Sequence, residues 1–302
     1  MKGKSKIQLA LWALLFMVAI PISAYGVDGQ IKIAQTAETT FPITINEPGS
    51  YVLTSNLMVS TANVKAIKIN TDNVTLDLNG HSIFHGIGPG AGTGYGIYAQ
   101  NQFNITIKNG LVRGFYNGIR LYNDDYHKGA GHRIEGIQAS NNSSDGIYAN
   151  YSTVTNCTAN RNDGHGIYAS YSTVTNCTAN YNDGYGIYAP GSTVTNCTAN
   201  ENRDYGIYAP GSTVTNCTAN ENRDYGICVL HGTVTNCTAN YNGEDGIYAS
   251  ESTVKGCNVR YNTGYGINML FSNYIYRNAA GRNTAGQINC PSGNTCVDNA
   301  TF

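Results

Sequence analysis

The nine residues STVTNCTAN begin at Ser152 and return unchanged at 172, 192 and 212, with GTVTNCTAN at 232. A polar phrase with a cysteine in its middle, repeated at a fixed step of twenty residues, leaves few folds open. Twenty residues is too short for two packed helices. Runs of three or four Val, Thr, Ile and Tyr, broken by Asn and Gly, read instead as short strands joined by bends. A companion phrase, GIY or a close variant, recurs at Gly146, Gly166, Gly186, Gly206, Gly226, Gly246 and Gly266. Like coils on this scale, in a chain of 302 residues, favour one elongated repeat domain.

Side-chain alternation along a strand assigns the faces. Ile147, Ala149 and Val154 point inward, while Tyr148, Thr153 and Thr155 point out. The odd step from Val154 to Cys157 requires one residue spent on a bend, and Asn156 suits it because Asn tolerates left-handed backbone. Cys157 and Ala159 then face inward together. An interior of Ile, Ala, Val, Cys and Ala is too narrow for a coil to bury itself, so coils must stack, with strands paired in parallel at about 4.8 Å. The expected fold class is all-β, a parallel β-helix with coils of about 20 residues.

The GIYA and TVTNCTAN phrases, and TLDLNGHSI at 75–83, resemble those of the right-handed parallel β-helix repeat proteins of the pectate-lyase-like superfamily. The resemblance spans about Phe41 to Asn289 and implies a single-stranded right-handed solenoid. It also implies polysaccharide chemistry, because relatives of this fold cleave or epimerise acidic polysaccharides, usually on an outer sheet flanked by loops. The catalytic phrases of those relatives are incomplete here. NTD at 70–72, DD at 124–125 and GHG at 164–166 are spaced too widely for a polygalacturonase, and the RIK phrase is missing. The DPHD phrase of alginate epimerases and the calcium-carboxylate and arginine pattern of pectate lyases are missing too.

Five segments are expected. Residues 1–24 carry Lys2, Lys4 and Lys6, then an apolar run from Leu9 to Ile22 and small residues, the pattern of a signal peptide. Residues 25–40 read as linker, 41–140 as irregular coils, 141–270 as the regular repeats and 271–302 as a C-terminal cap covering open strand edges. Export to a bacterial periplasm or beyond follows, with no membrane span left after cleavage. Charged residues make up only 12% at a net charge of −1, which gives no footprint for nucleic acid.

Cys157, Cys177, Cys197, Cys217, Cys237 and Cys257 occupy one inward site on successive coils and read as a ladder of small buried thiols. Cys290 and Cys296 lie outside it and are expected to form a disulfide; Cys228, in place of an outward Tyr, reads as a surface thiol. Asn ladders at 142–262, 156–236 and 160–240 are expected to hydrogen-bond from coil to coil and steady the bends. No cofactor or metal is expected: the thiol ladder has no His beside its rungs, and Asp163, Asp183, Asp204, Asp224, Glu244 and Asp245 are interleaved with Arg203 and Arg223.

Two surfaces remain as candidate sites. GIR at Gly118 and GIY at Gly146 lie 28 residues apart, so LYNDDYHKGAGH is expected to protrude as a loop. There Asp124, Asp125, His127, His132, Arg133 and Glu135 could supply a base, an acid and a cation for a lyase, hydrolase or epimerase acting on an acidic polysaccharide. The second surface is aromatic. Tyr148, Tyr168, Tyr188, Tyr208 and Tyr248 form one outward stripe, and Tyr185, Tyr205, Tyr225 and Tyr265, with His165 among them, form another. A repeating surface suits a repeating ligand, so a carbohydrate-binding or cell-surface scaffold engaging a linear polysaccharide is the first function expected.

Overall fold

The computed structural model describes residues 29–86, 94–124 and 130–302. The expected signal peptide, Asp125 and His127 lie outside these residues. Strands, bends and turns make up the described chain, and among the described residues no helix is long and apolar enough to cross a membrane. Strands pair in parallel with their equivalents one coil away, so the chain winds as a solenoid with three faces.

The first face is a 12-stranded sheet carrying the GIY phrases, from Ile43–Ile45 to Gly286–Asn289. The second belongs to a 16-stranded sheet that carries the TVT phrases, among them Thr173–Thr175, Thr193–Thr195 and Thr213–Thr215. On the third, Thr158, Thr178, Thr198, Thr218, Thr238 and Asn258 bridge one another in series. Pairing extends beyond the expected limits at both ends. Ile31–Ile33, in the stretch expected as linker, pairs with Tyr51–Leu53, and Thr295–Val297 continues the second face into the stretch expected as cap.

The expected register holds. Ile167, Ala169, Val174, Cys177 and Ala179 are buried with their copies in the neighbouring coils, and the six ladder cysteines are buried free thiols. The thiols of Cys197, Cys217, Cys237 and Cys257 each accept a backbone N–H from the coil before and donate to a carbonyl: Cys197 Sγ accepts the Cys177 N–H (3.5 Å) and donates to the Thr195 carbonyl (3.3 Å). Cys290 and Cys296 are bridged as expected. The irregular coils are wider inside, filled by Leu53, Leu57, Leu76, Leu78 and Phe115.

Three residues per coil sit in left-handed backbone and turn the chain between faces: Tyr171 (φ 52°), Asn176 (φ 54°) and Tyr181 (φ 59°) in one coil. Asn at the middle corner was legible; Tyr, Arg and Glu at the outer corners were not. A non-glycine residue there costs ~1 kcal/mol, and paired strands on both sides of each corner hold it.

Buried amides hold the fourth bend. In the column from Asn142 to Asn262, Asn182 Nδ2 donates to Asn202 Oδ1 (3.0 Å) and to the Ala159 carbonyl (3.0 Å), while Asn182 N–H donates to the same Asn202 Oδ1 (3.0 Å). Buried backbone groups between strands thereby find partners without water. The glycine of each GIY phrase follows from this column: a Cβ on Gly186 would lie 2.6 Å from Asn202 Nδ2 and 2.7 Å from the Gly206 carbonyl oxygen. A second ladder escaped the sequence reading. Ser172 N–H donates to Ser192 Oγ (2.9 Å), whose hydroxyl donates to the Ala169 carbonyl (2.9 Å).

Candidate functional site

The GIY strands place two aromatic columns side by side on the first face. Parallel register puts Arg120, Tyr148, Tyr168, Tyr188, Tyr208, Cys228 and Tyr248 in one line. Ring centroids in it lie 4.5 Å apart for Tyr148–Tyr168 and Tyr168–Tyr188, and 5.5 Å for Tyr188–Tyr208. The second column stacks His165 on Tyr185 (4.8 Å) and carries on through Tyr205 (5.0 Å) to Tyr225 (4.9 Å). The columns also touch each other, as at Tyr185–Tyr208 (5.4 Å) and Tyr225–Tyr248 (5.0 Å). Tyr265 stands apart from the stack, over Gly286, where a Cβ would lie 2.8 Å from its ring.

Stacking decides what the surface offers. Rings that lie nearly face to face along the solenoid axis spend their faces on each other, leaving edges and phenol hydroxyls to point outward. Burial raises the pKa of Tyr168, Tyr188's neighbour, and pushes that of Tyr185 up to about 12, so these hydroxyls stay protonated donors. The array ends in cations toward the N-terminus: the Arg120 guanidinium lies over Tyr148 (4.5 Å) and Tyr122 (4.7 Å), and the Lys65 ammonium lies over Tyr98 (4.4 Å). Toward the C-terminus it carries acids. Asp204 and Asp245 are raised by burial, and Asp245 accepts from Tyr265 N–H (2.6 Å) and Asn268 Nδ2 (2.8 Å).

Cys228 corrects the sequence reading. It is buried, at 4% exposure, and burial pushes its thiol up to about 12. The side chain is smaller than the Tyr it replaces, so Tyr225 of its own coil and Tyr248 of the next, stacked on each other, close over it.

The irregular coil disperses its polar set. Asp124 follows the strand Asn117–Tyr122, where Gln100 Nε2 (3.0 Å) and Asn101 Nδ2 (2.8 Å) donate to its Oδ2 and hold the carboxyl below its usual range. These clamping amides lie one coil back, and no local signal marks them. Arg133 and Glu135 sit on the second face and pair with each other, at 3.0 Å through Nε and 2.9 Å through the terminal nitrogen. His132 is buried, and its Nδ1 accepts the Ile105 N–H (3.3 Å). The structure brings Arg133 and Glu135 together and turns His132 inward. Among the described residues no three His, Cys, Asp or Glu side chains converge on a possible metal position.

Burial makes His132 an acid-sensitive point. It lowers the imidazole from 6.5 to about 4, against a smaller opposing pull from Asp72. The unfolded chain therefore takes up a proton that the folded chain refuses, and the His132 contribution is complete above about pH 6.5 and lost as pH falls toward 4. The expected loss is about 3 kcal/mol, at 1.36 kcal/mol per unit. Urea unfolding across that window, compared with His132→Asn, checks it: the variant should show the shallower dependence.

A family model described as the right-handed β-helix region matches residues 65–212 and 191–302. No curated protein sequence matches the chain. Among solved structures, the A-module of the Azotobacter vinelandii mannuronan C-5 epimerase AlgE4 is similar, with a TM-score of 0.52 at 12% identity over 91% of this chain and 89% of that one. A variant of the periplasmic alginate epimerase AlgG gives 0.56 at 10% identity over 84% and 77%. Tailspike protein 3 of bacteriophage CBA120 gives 0.61 at 10% identity over 90% and 55%. At these identities the likeness is one of fold. With pairing parallel throughout and the match running from residue 65 to the last residue, the chain belongs to the right-handed β-helix family.

Proposed function

We propose that this chain is an exported, non-catalytic solenoid that holds a linear polysaccharide along the hydroxyl edge of its tyrosine columns. The observation that carries the reading is the continuity of the stack, in which Tyr148, Tyr168, Tyr188 and Tyr208 offer the same group at nearly one coil spacing. A polymer crossing several coils adds weak contacts into avidity without a pocket. Two similar folds belong to enzymes named for mannuronan or alginate, so acidic polysaccharides come first among the ligands to test. Export rests on the N-terminal lysines and apolar run. The mutual pairing of Arg133 with Glu135 and the burial of His132 favour binding over turnover.

The test separates hydroxyl from ring. Replacing Tyr168, Tyr188 and Tyr208 together by Phe keeps the stack and removes three hydroxyls, each worth ~1 kcal/mol as a hydrogen bond, so retention on long chains should fall about a hundredfold. Short oligosaccharides bind weakly in either case, and the melting temperature of the Phe variant should hold. The Ala triple variant should lose stability as well. Full retention by the Phe variant overturns the hydroxyl-edge reading, and new reducing or unsaturated ends that vanish in Asp124→Asn replace it by the catalytic one.

A further inference from the structure

The second face carries a feature that carbohydrate binding does not use. Its outward residues form two straight files, Thr153, Thr173, Thr193, Thr213 and Thr233 in one, and Thr155, Thr175, Thr195, Thr215 and Thr235 in the other. Threonine in both files of five successive coils is more than strand propensity requires, because Val, Ile or Tyr would serve a pleated surface equally well. None of these hydroxyls has a hydrogen-bond partner within the protein. The two files are also free of charge: STVTN in four coils and GTVTN in the fifth contribute no ionisable group, and the field is closed at one end by the Arg133–Glu135 pair and at the other by Lys255.

We infer that this face adsorbs to crystalline water. Within a strand, Thr193 and Thr195 are two residues apart, about 6.7 Å, and neighbouring strands repeat at about 4.8 Å. A grid of that shape is close to the oxygen repeat on a prism face of hexagonal ice. Threonine suits the task chemically. Its branched side chain is stiff about χ1, so each hydroxyl and methyl stays at a fixed place on the grid. Water bound at one position is then in register with water bound at the next. A crystal presents the same repeat in two dimensions and gains at every position, as a multivalent ligand does, whereas liquid water has no lattice to match. A sugar polymer is a poorer fit: it repeats in one dimension only, and the rings that border these files, Tyr151 and Tyr171, stand at the corner before the strands and stack on each other (5.1 Å).

Partition of the full chain into slowly grown ice, together with inhibition of ice recrystallisation, tests the inference on a face separate from the tyrosine columns, so its outcome is independent of polysaccharide binding. The wild-type protein should enter the ice fraction and arrest recrystallisation. Thr195→Lys, at the centre of the plateau, should lose both. Thr195→Tyr, a strong strand former, should lose both as well and covers the case in which the lysine variant does not fold, with circular dichroism reporting the fold. Arg223→Gln, in the turn before the first face, should behave as wild type. Exclusion of the wild-type protein from ice overturns the inference, and so does retention of both activities in a folded Thr195 variant.

Discussion

Replacing Asn202 by Ala should lower the stability of the solenoid by about 3–5 kcal/mol, the range for breaking a buried polar network. Asn202 Oδ1 accepts from Asn182 N–H and Asn182 Nδ2, both at 3.0 Å, and its own Nδ2 donates to the Ala179 carbonyl and Asn222 Oδ1, again at 3.0 Å. Alanine leaves those donors and acceptors without partners where water does not enter, and each orphan costs ~1–3 kcal/mol. The exposed column supplies the comparison. Asn196 Nδ2 donates to Asn176 Oδ1 at 3.2 Å in full contact with solvent, so Asn196→Ala should cost about 1 kcal/mol, chiefly from its left-handed corner. Urea midpoints for the two variants measure the difference. Equal losses would remove the buried column from its place as the main polar support.

Gly186→Ala should cost about 3 kcal/mol, the upper part of the range for overpacking. The added carbon meets the Gly206 carbonyl oxygen at 2.7 Å and the Ala179 carbonyl oxygen at 2.9 Å, and backbone cannot rotate aside as a side chain can. Its nearest neighbour is Asn202 Nδ2, at 2.6 Å, which couples the two substitutions. The double variant loses that amide and gains room for the methyl, so its cost should fall short of the sum of the singles. Strict additivity would mean that the glycine answers to the backbone contact alone.

The inward register was legible because alternation and one asparagine bend account for Ile167, Val174, Cys177 and Ala179 without tertiary information. Corners such as Tyr171 and Tyr181 were hidden, since nothing in a tyrosine announces a positive φ and pairing with the adjoining coils imposes it. Arg120 was hidden from the tyrosine column for another reason. The long insertion separates Gly118 from Gly146 in sequence, yet Ile119 and Ile147 are direct partners in space. Alternation places Cys228 on the outer face, but the missing ring lets Tyr225, three residues before it, stack on Tyr248 of the next coil over the thiol. The polar set of the irregular coil was read as a cluster from nearness in sequence; strand direction then sent His132 inward and Arg133 outward.

In the middle of the molecule each coil meets a copy of itself: Ile187 pairs with Ile207, Val194 with Val214 and Thr195 with Thr215. Removing or adding one twenty-residue unit there leaves every junction chemically as it was, because the new neighbours are the same residues. The molecule therefore has an adjustable length, in steps of about 4.8 Å. Gain or loss of one such unit changes the reach of the solenoid and leaves the chemistry of its junctions as it was. The irregular coils lack this freedom, since Ile43, Ile67, Ile97 and Ile119 are joined by stretches of unequal length that fit one neighbour each. The tyrosine columns and threonine files can thus be lengthened by whole coils without any new contact between coils.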